Sequence, residues 1–234
     1  MKYKSFSAMI LAAGYGTRLR PMTLNVPKPL IKINKVNLLQ NIIDKLLSIN
    51  CNQIIVNTHY KADLISNFLH QNYNNKNISV SYEEEILNTA GGLKNASSLF
   101  NTKEVLVINS DVYLQEKNLF DIIKLINNFK STQKCKLLIV PQKLAHGIKK
   151  NTGDFYVNKN LIYRWNIGKK IYIYSGIQML QLDILNQYKP KNFSFNLIWD
   201  DLILKEILFG EIMSSDWYHV GDKKGLEEIR KIVT

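Results

Sequence analysis

At 234 residues, 46% hydrophobic and 21% charged, the chain has the composition of a globular protein with a sizeable core, enough for one large domain or one domain with a small elaboration. Its 31 Lys and Arg against 19 Asp and Glu leave a formal charge of +12, which attracts nucleic acid, acidic membrane surfaces or small phosphorylated substrates, although an Asn-, Ile- and Lys-rich composition accounts for part of the excess. Pattern argues against the first two: the lysine pairs at 149–150, 169–170 and 223–224 are isolated, and no stretch approaches the ~20 apolar residues that span a bilayer.

In chain order, SAMILAA at 7–13 predicts a strand buried on both faces, and LLQNIIDKLLSI at 38–49 a helix with its apolar stripe through Leu39, Ile42, Ile43, Leu46 and Leu47. QIIVNT (53–58) predicts a strand and ADLISNFLHQ (62–71) a helix. ISVSYEE (78–84) reads as a strand, followed by a glycine-containing turn and a helix through LKNASSLF. EVLVINSD (104–111) predicts a strand ending on a carboxylate, NLFDIIKLINNF (118–129) a helix and KLLIVP (136–141) the next strand. Apolar strands separated by amphipathic helices predict an α/β fold: a Rossmann-like, mostly parallel mixed sheet flanked by helices. After Pro141 the aromatic, alternating segments DFYV, LIYRW and IYIYSGIQML predict a small antiparallel extension. Two helices follow, around IWDDLILKEILF and GLEEIRKIV, with strand-like WYHV between them. One domain over 1–234 is expected, with halves 1–141 and 142–234.

Lys2 and Lys4 before AMILAA imitate a signal peptide, but the apolar run is short and leads into a charged loop. A cytoplasmic location is the expectation. Cys51 and Cys135 lack metal or redox spacing and are expected as reduced core thiols.

The most informative stretch is LAAGYGTRLRPMTLNVPKPL, 11–30. In an open α/β sheet, ligands bind beyond the carboxyl ends of the strands, which is where this loop starts. Gly14 and Gly16 are free to take positive φ and present successive N–H groups as an anion nest, to which Thr17 adds a hydroxyl. Arg18 offers a planar fork, and Lys28 is restrained between Pro27 and Pro29. Such a loop suits several phosphates at once; the plainer alternative is an ordinary strand–helix turn. It is not a dinucleotide fingerprint, because Leu19 stands where the third glycine belongs, and no G-x-x-x-x-G-K-[ST] occurs.

With PKPL just downstream, the chain resembles the sugar-1-phosphate nucleotidyltransferases, whose signature is similar to L-A-A-G-x-G-T-R-[LM]-x-P-L-T followed by P-K-P-[LM]. Met22 departs from the usual Leu. YEEEILNTAGGLKNA (82–96) resembles the family's E-x-x-L-x-T-A-G segment with Asn88 for Gly, and VLVINSDVY (105–113) its strand ending in G-D with Ser110 for Gly. GDF (153–155), YSGIQML (174–180), FSFNLIWDD (193–201) and WYHVG (217–221) resemble the branch acting on N-acetylmuramate 1-phosphate with UTP in peptidoglycan recycling.

The resemblance implies a GT-A-like fold, with a nucleotide-binding half at 1–141 and a sugar-phosphate half at 142–234. It implies joining a sugar 1-phosphate to a nucleoside triphosphate with loss of pyrophosphate. Mannose 1-phosphate with GTP, and glucose 1-phosphate with dTTP or UTP, are the alternatives. An already ionised phosphate needs no general base, so catalysis is positioning and neutralisation. Ala12, Ala13, Gly14, Gly16 and Thr17 would hold nucleotide phosphates, Arg18 would neutralise the leaving pyrophosphate, and Lys28 would bridge the α-phosphate and the incoming one. Asp111 would ligate Mg²⁺, unless it merely caps the following turn.

His219 departs from the family's W-x-D-x-G, where the Asp is the second metal ligand. It would ligate metal, with Mn²⁺ then suited, donate to a phosphate, or pack inertly while Asp222 substitutes. Thr89, Gly91 and Gly92 would let the base lie against a helix start, with Asn57 and His59 near the nucleotide, unless Thr89 is a cap and His59 structural. Asp154, Ser175 and Gly176 are the sugar candidates; Tyr156, Trp165 and Tyr174 serve as strand packing or sugar platforms. The expected partners are the two substrates, with neither nucleic acid nor membrane; a homo-oligomer is left open. A noncatalytic nucleotide-sugar sensor is the contrasting class, supported only by His219.

Overall fold

The computed structural model describes residues 4–148 and 152–233; Lys2 and the 149–150 lysine pair lie outside the described residues. The chain opens with β1 (Phe6–Leu11), two short strands β2 (Lys32–Ile33) and β3 (Val36–Asn37), and helix α1 (Leu38–Ser48). Next come β4 (Cys51–Thr58), α2 (Ala62–Tyr73), β5 (Ile78–Tyr82), α3 (Asn88–Ala96), β6 (Glu104–Asn109), β7 (Val112–Tyr113), α4 (Glu116–Asn127), β8 (Cys135–Pro141) and β9 (Ala145–His146). The remainder holds β10 (Phe155–Asn158), β11 (Leu161–Arg164), β12 (Tyr172–Gln181), α5 (Phe195–Leu204), β13 (Phe209–Ile212), β14 (Trp217–His219) and α6 (Lys223–Ile232).

The main sheet has nine strands in the order β10-β11-β13-β8-β12-β6-β1-β4-β5. Strands β6, β1, β4 and β5 run parallel, as the continuous apolar segments predict. Helices bury one stripe each. In α1, Leu39, Ile42, Ile43 and Leu46 face the sheet, and the Asn37 side chain accepts from the Gln40 amide at 2.7 Å to start the helix. Helices α1, α2 and α4 pack one face of the sheet, whereas α3 and α5 pack the other.

The structure corrects three expectations. First, the antiparallel part is no appendage: β12 runs antiparallel between β6 and β8, in the middle of the sheet. Second, the helix expected through Phe209 stops at Leu204. Glu206 takes φ +54° and its amide bonds Ile203 O at 2.9 Å, so the chain turns, and β13 runs parallel to β8. The apolar spacing of LILKEILF fits either period, which is why the sequence alone misled. Third, the strand expected through Asp111 ends at Asn109, so Asp111 sits on the turn beyond the sheet edge.

Candidate active site

The loop leaving β1 crosses the carboxyl edge of the sheet. Ala12, Ala13, Gly14, Gly16, Thr17 and Arg18 line a cavity of about 330 Å³ there, together with Lys28, Asn57, Thr89 and Asp111. Gly16 has φ +63°, and a Cβ on it would stand 2.9 Å from Thr23 Cγ2, so no other residue fits without strain. The Thr23 hydroxyl donates to the Gly16 carbonyl at 2.9 Å and fixes the turn. The space beside Gly14 is open. Asn57 shapes this loop from below: Oδ1 accepts from the Ala12 amide at 2.7 Å, and Nδ2 donates to Glu83 Oε1 at 2.6 Å. Glu83 is itself buried, and its second oxygen accepts from the Leu87 amide at 3.0 Å. His59 lies outside the lining, its ring nitrogens within reach of Glu83 O (2.9 Å) and Tyr15 Oη (3.3 Å).

Lys28 begins a short 3-10 turn whose entry residue, Pro27, is extended and whose next residue is Pro29. Its ammonium donates to Asp111 Oδ2 at 2.8 Å, and His219 Nε2 stands 3.2 Å from the same oxygen. An ionised carboxylate only accepts, so that ring nitrogen carries the proton. Burial alone raises the Asp111 carboxyl, but the Lys28 ammonium and the His219 ring outweigh it and hold it well below the usual carboxylate range. The turn bearing Asp111 is tied at both ends: the Ser110 amide donates to Leu11 O at 3.1 Å, and the Val220 amide donates to Asp111 O at 2.7 Å. Arg18 is exposed and has no hydrogen-bond or ion-pair partner among the described residues.

Arg18, Asn88, Thr89, Asn109 and Asp111 also line a second cavity of about 660 Å³, so the two lobes meet at these residues. The second lobe continues to Asp154, Arg164, Tyr174, Gly176, Trp199 and His219. Gly176, at φ +78°, lies against Asn109 where the β12 register shifts. Asn88 also takes positive φ, +60°, a conformation that favours glycine and that Asn tolerates better than most residues.

Four assignments change. Gly91 and Gly92 line neither lobe: a Cβ on Gly91 would strike Lys191 O, and one on Gly92 would stand 2.5 Å from Glu83 Oε1. Their missing side chains let α3 pack closely against Lys191, Glu83 and Asn57. Thr89 does line both lobes, but its hydroxyl accepts from the Phe195 amide at 3.0 Å and so serves the start of α5, not of α3. Ser175 is wholly buried, its hydroxyl donating to Leu138 O at 2.7 Å inside the sheet, so it faces no sugar. Asp222 lines neither lobe and caps α6 by accepting from the Gly225 amide at 2.9 Å. Tyr156 stacks on Tyr163, and Trp165 Nε1 donates to Lys169 O at 2.9 Å; of the three aromatics only Tyr174 lines the lobe. Sequence reading passed over Glu83, Arg164, Trp199 and Gly221. Glu83, Trp199 and Gly221 lie in the YEEEILNTAGGLKNA, FSFNLIWDD and WYHVG segments, which carried a signal without a role for these residues; Arg164 had none.

The imidazole of His219 stacks on Trp217, 5.6 Å between centroids, and lies over Gly221, where a Cβ would collide with Cε1. One carboxylate at the junction of the lobes suits a hard divalent cation, which needs one or two carboxylates and takes phosphate oxygens and water for the rest. Asp111 fits that part. His219, as placed, donates to Asp111 instead of offering a lone pair.

A model described as "Nucleotidyl transferase" matches residues 7–148, more than half the chain. The chain belongs to the nucleotidyl transferase family. This nucleotidyltransferase is 28% identical over 223 residues to the N-acetylmuramate alpha-1-phosphate uridylyltransferase of Caulobacter vibrioides, covering 92% of this chain and 91% of that one. It is also 28% identical over 226 residues to the mannose-1-phosphate guanylyltransferase catalytic subunit beta of Dictyostelium discoideum, but spans only 61% of that relative's length. Among solved structures, HddC from Yersinia pseudotuberculosis superposes with a TM-score of 0.75 at 23% identity, covering 98% of this chain and 100% of that one. The inositol-1-phosphate CTP transferase of T. maritima reaches a TM-score of 0.77 at 16% identity, covering 99% and 96%. These two likenesses establish the GT-A-like fold. No helix among the described residues is long and apolar enough to cross a membrane.

Proposed function

We propose that this nucleotidyltransferase transfers a nucleotidyl group to a sugar 1-phosphate, most specifically from UTP to N-acetylmuramate 1-phosphate in peptidoglycan recycling. Nucleotidyl transfer comes with the family; the substrates are our reading. One observation carries it: a donor-rich loop, a free guanidinium, a lysine and a half-buried carboxylate meet where two lobes join at the sheet edge. The smaller lobe suits the triphosphate and the larger one the sugar. The muramate choice rests on the Caulobacter relative, which matches along nearly its whole length.

In the reaction a phosphate oxygen of the sugar 1-phosphate attacks the α-phosphorus. The new O–P bond forms as the bond to the β-phosphate oxygen breaks, and pyrophosphate leaves with that electron pair. Both reactants are anions, so the barrier is set by their repulsion and by orientation. The amides of Gly14, Gly16 and Thr17 hold the triphosphate, Arg18 neutralises the departing pyrophosphate, and Lys28 spans the two reacting phosphates. Lys28 leaves Asp111 or bridges it to the phosphates when substrate enters. Asp111 would hold a divalent cation, Mg²⁺ or Mn²⁺, which supplies further charge neutralisation. His219 orients Asp111 through its Nε2 proton. Asp154, Tyr174 and Trp199 line the sugar lobe.

A pyrophosphate-release screen across four nucleoside triphosphates and a panel of sugar 1-phosphates, with each metal, tests the reading. Release with UTP and N-acetylmuramate 1-phosphate above all other pairs is expected. Preference for GTP with mannose 1-phosphate would replace the muramate assignment. No release with any pair would overturn the reading altogether.

A further inference from the structure

The sugar lobe contains a guanidinium that the proposed chemistry does not use. Arg164 closes β11 opposite Phe155, and its guanidinium carbon lies 5.0 Å from the Phe155 ring centre and 5.7 Å from that of Trp199. The two rings stand at 72° to each other, so the guanidinium is seated in the corner between them and its position is restrained from two sides. Three hydrogen bonds fix its rotation: Nε donates to Asp200 Oδ1 at 2.7 Å, and Nη2 to Asn196 Oδ1 at 2.9 Å and to Asn196 O at 3.4 Å. Nη1 has no partner among the described residues, and the side chain keeps 37% of its exposure. A fork held this firmly, with one edge open into a cavity, is pre-organised to receive a planar anion by directional hydrogen bonds.

Asp200 offsets the charge of Arg164 from the Nε side, and Asp154 in the same lobe commits one carboxylate oxygen to the Tyr174 amide at 2.8 Å. What remains is a donor edge that a neutral hydroxyl satisfies weakly and a carboxylate satisfies well.

We propose that Arg164 is a specificity-determining residue that reads an anionic substituent on the sugar, so that the preferred substrates are sugar 1-phosphates carrying a second acidic group. The inference rests on the sugar-nucleotidyl reading above and names the residue that selects the sugar. A carboxylate and the substrate's own phosphate share this chemistry, and the test separates them.

Pyrophosphate release is measured for N-acetylmuramate 1-phosphate, which carries a carboxylate, and for N-acetylglucosamine 1-phosphate, the same ring without it. Wild type, Arg164→Gln and Arg164→Lys are compared. Wild type is expected to favour the acidic sugar. Arg164→Gln should lower kcat/KM for it by about ten- to hundredfold, the range of a lost charge-assisted hydrogen bond, and leave the neutral sugar within about threefold. Arg164→Lys loses the fork but keeps the charge, and should retain more of the acid preference than Arg164→Gln. Equal losses on both sugars would overturn the proposal, whether Arg164 braces α5 or holds the common phosphate. Turnover of both sugars by wild type without acid preference would overturn it alone. Turnover of neither, nor of any other sugar 1-phosphate, would remove the underlying reading as well.

Discussion

Replacing Lys28 by Met keeps most of the side-chain volume and deletes the ammonium 2.8 Å from Asp111. Two costs follow. Breaking a fully buried ion pair from one side costs about 3–5 kcal/mol, because the remaining charge is stranded. Here the two side chains keep 12% and 18% of their exposure, and His219 still reaches Asp111, so a loss of about 2 kcal/mol is expected, nearer the worth of one charged hydrogen bond. Catalysis suffers more, since a fixed donor that meets charge as it develops is worth about 10²–10³ in kcat. Urea unfolding reads the first cost and pyrophosphate release the second. The reasoning requires the catalytic loss to exceed what partial unfolding explains: the variant must remain folded at the assay temperature and still turn over at least a hundredfold more slowly. Turnover within tenfold of wild type in a folded Lys28→Met protein would refute the role given to this lysine. So would an equal loss in Lys28→Arg and Lys28→Met with no effect on the Asp111 environment.

Gly221→Ala should cost at least tenfold in activity with a modest drop in Tm, because the new methyl occupies the space of the His219 ring and turns it away from Asp111; unaltered kinetics would show that His219 has no fixed task. His219→Asp removes the Nε2 donor and puts a second carboxylate beside Asp111, so turnover should fall while the metal optimum moves toward Mg²⁺, read as activity ratios in Mg²⁺ and Mn²⁺; an unchanged ratio would place position 219 away from the cation. Remote from the cleft, the Glu211 carboxyl is raised by burial but lowered more by hydrogen bonds from Lys124, Lys136 and Asn128, ending below its ordinary value. Its contribution to stability is therefore complete above the unfolded carboxylate value of about 4.3 and disappears as pH falls through the depressed folded value. Lys136→Met should shift the acid-unfolding midpoint upward, measured by circular dichroism; a midpoint unmoved would deny the coupling. Cys51, whose thiol burial pushes up to about 12, should resist alkylation in native protein at pH 8 and react after denaturation, with mass spectrometry as the readout.

How much was legible in the sequence depended on whether a residue's role was local. The β1 loop announced itself because a turn at positive φ needs Gly16, and restraint of Lys28 needs its prolines; both are short-range demands written within twenty residues. Strands β1, β4 and β6 were equally clear, since burial on both faces leaves continuous apolar runs. What stayed hidden was long-range pairing. Nothing local distinguishes Gly91 and Gly92 as packing residues from a base platform, because the obstacles, Lys191 O and Glu83, arrive from elsewhere in the chain. Ser175 was misplaced for the same reason: its partner, Leu138, is a neighbour only after β12 docks beside β8. Arg164 went unnoticed because an alternating aromatic strand gives no hint that its guanidinium sits between Phe155 and Trp199.

The insertion of β12 between β6 and β8 has a mechanical meaning. A strand from late in the chain serves as the keystone between two earlier ones, so cutting after Pro141 leaves both neighbours with raw, unpaired edges, an invitation to aggregate. Gly176 on that keystone borders Asn109 at the end of β6, where the lobes meet. The residues at which the lobes meet are thus anchored just beyond the last rung of the β6–β12 ladder, Ile177 opposite Ile108, so the keystone that closes the sheet also sets the floor of the cleft.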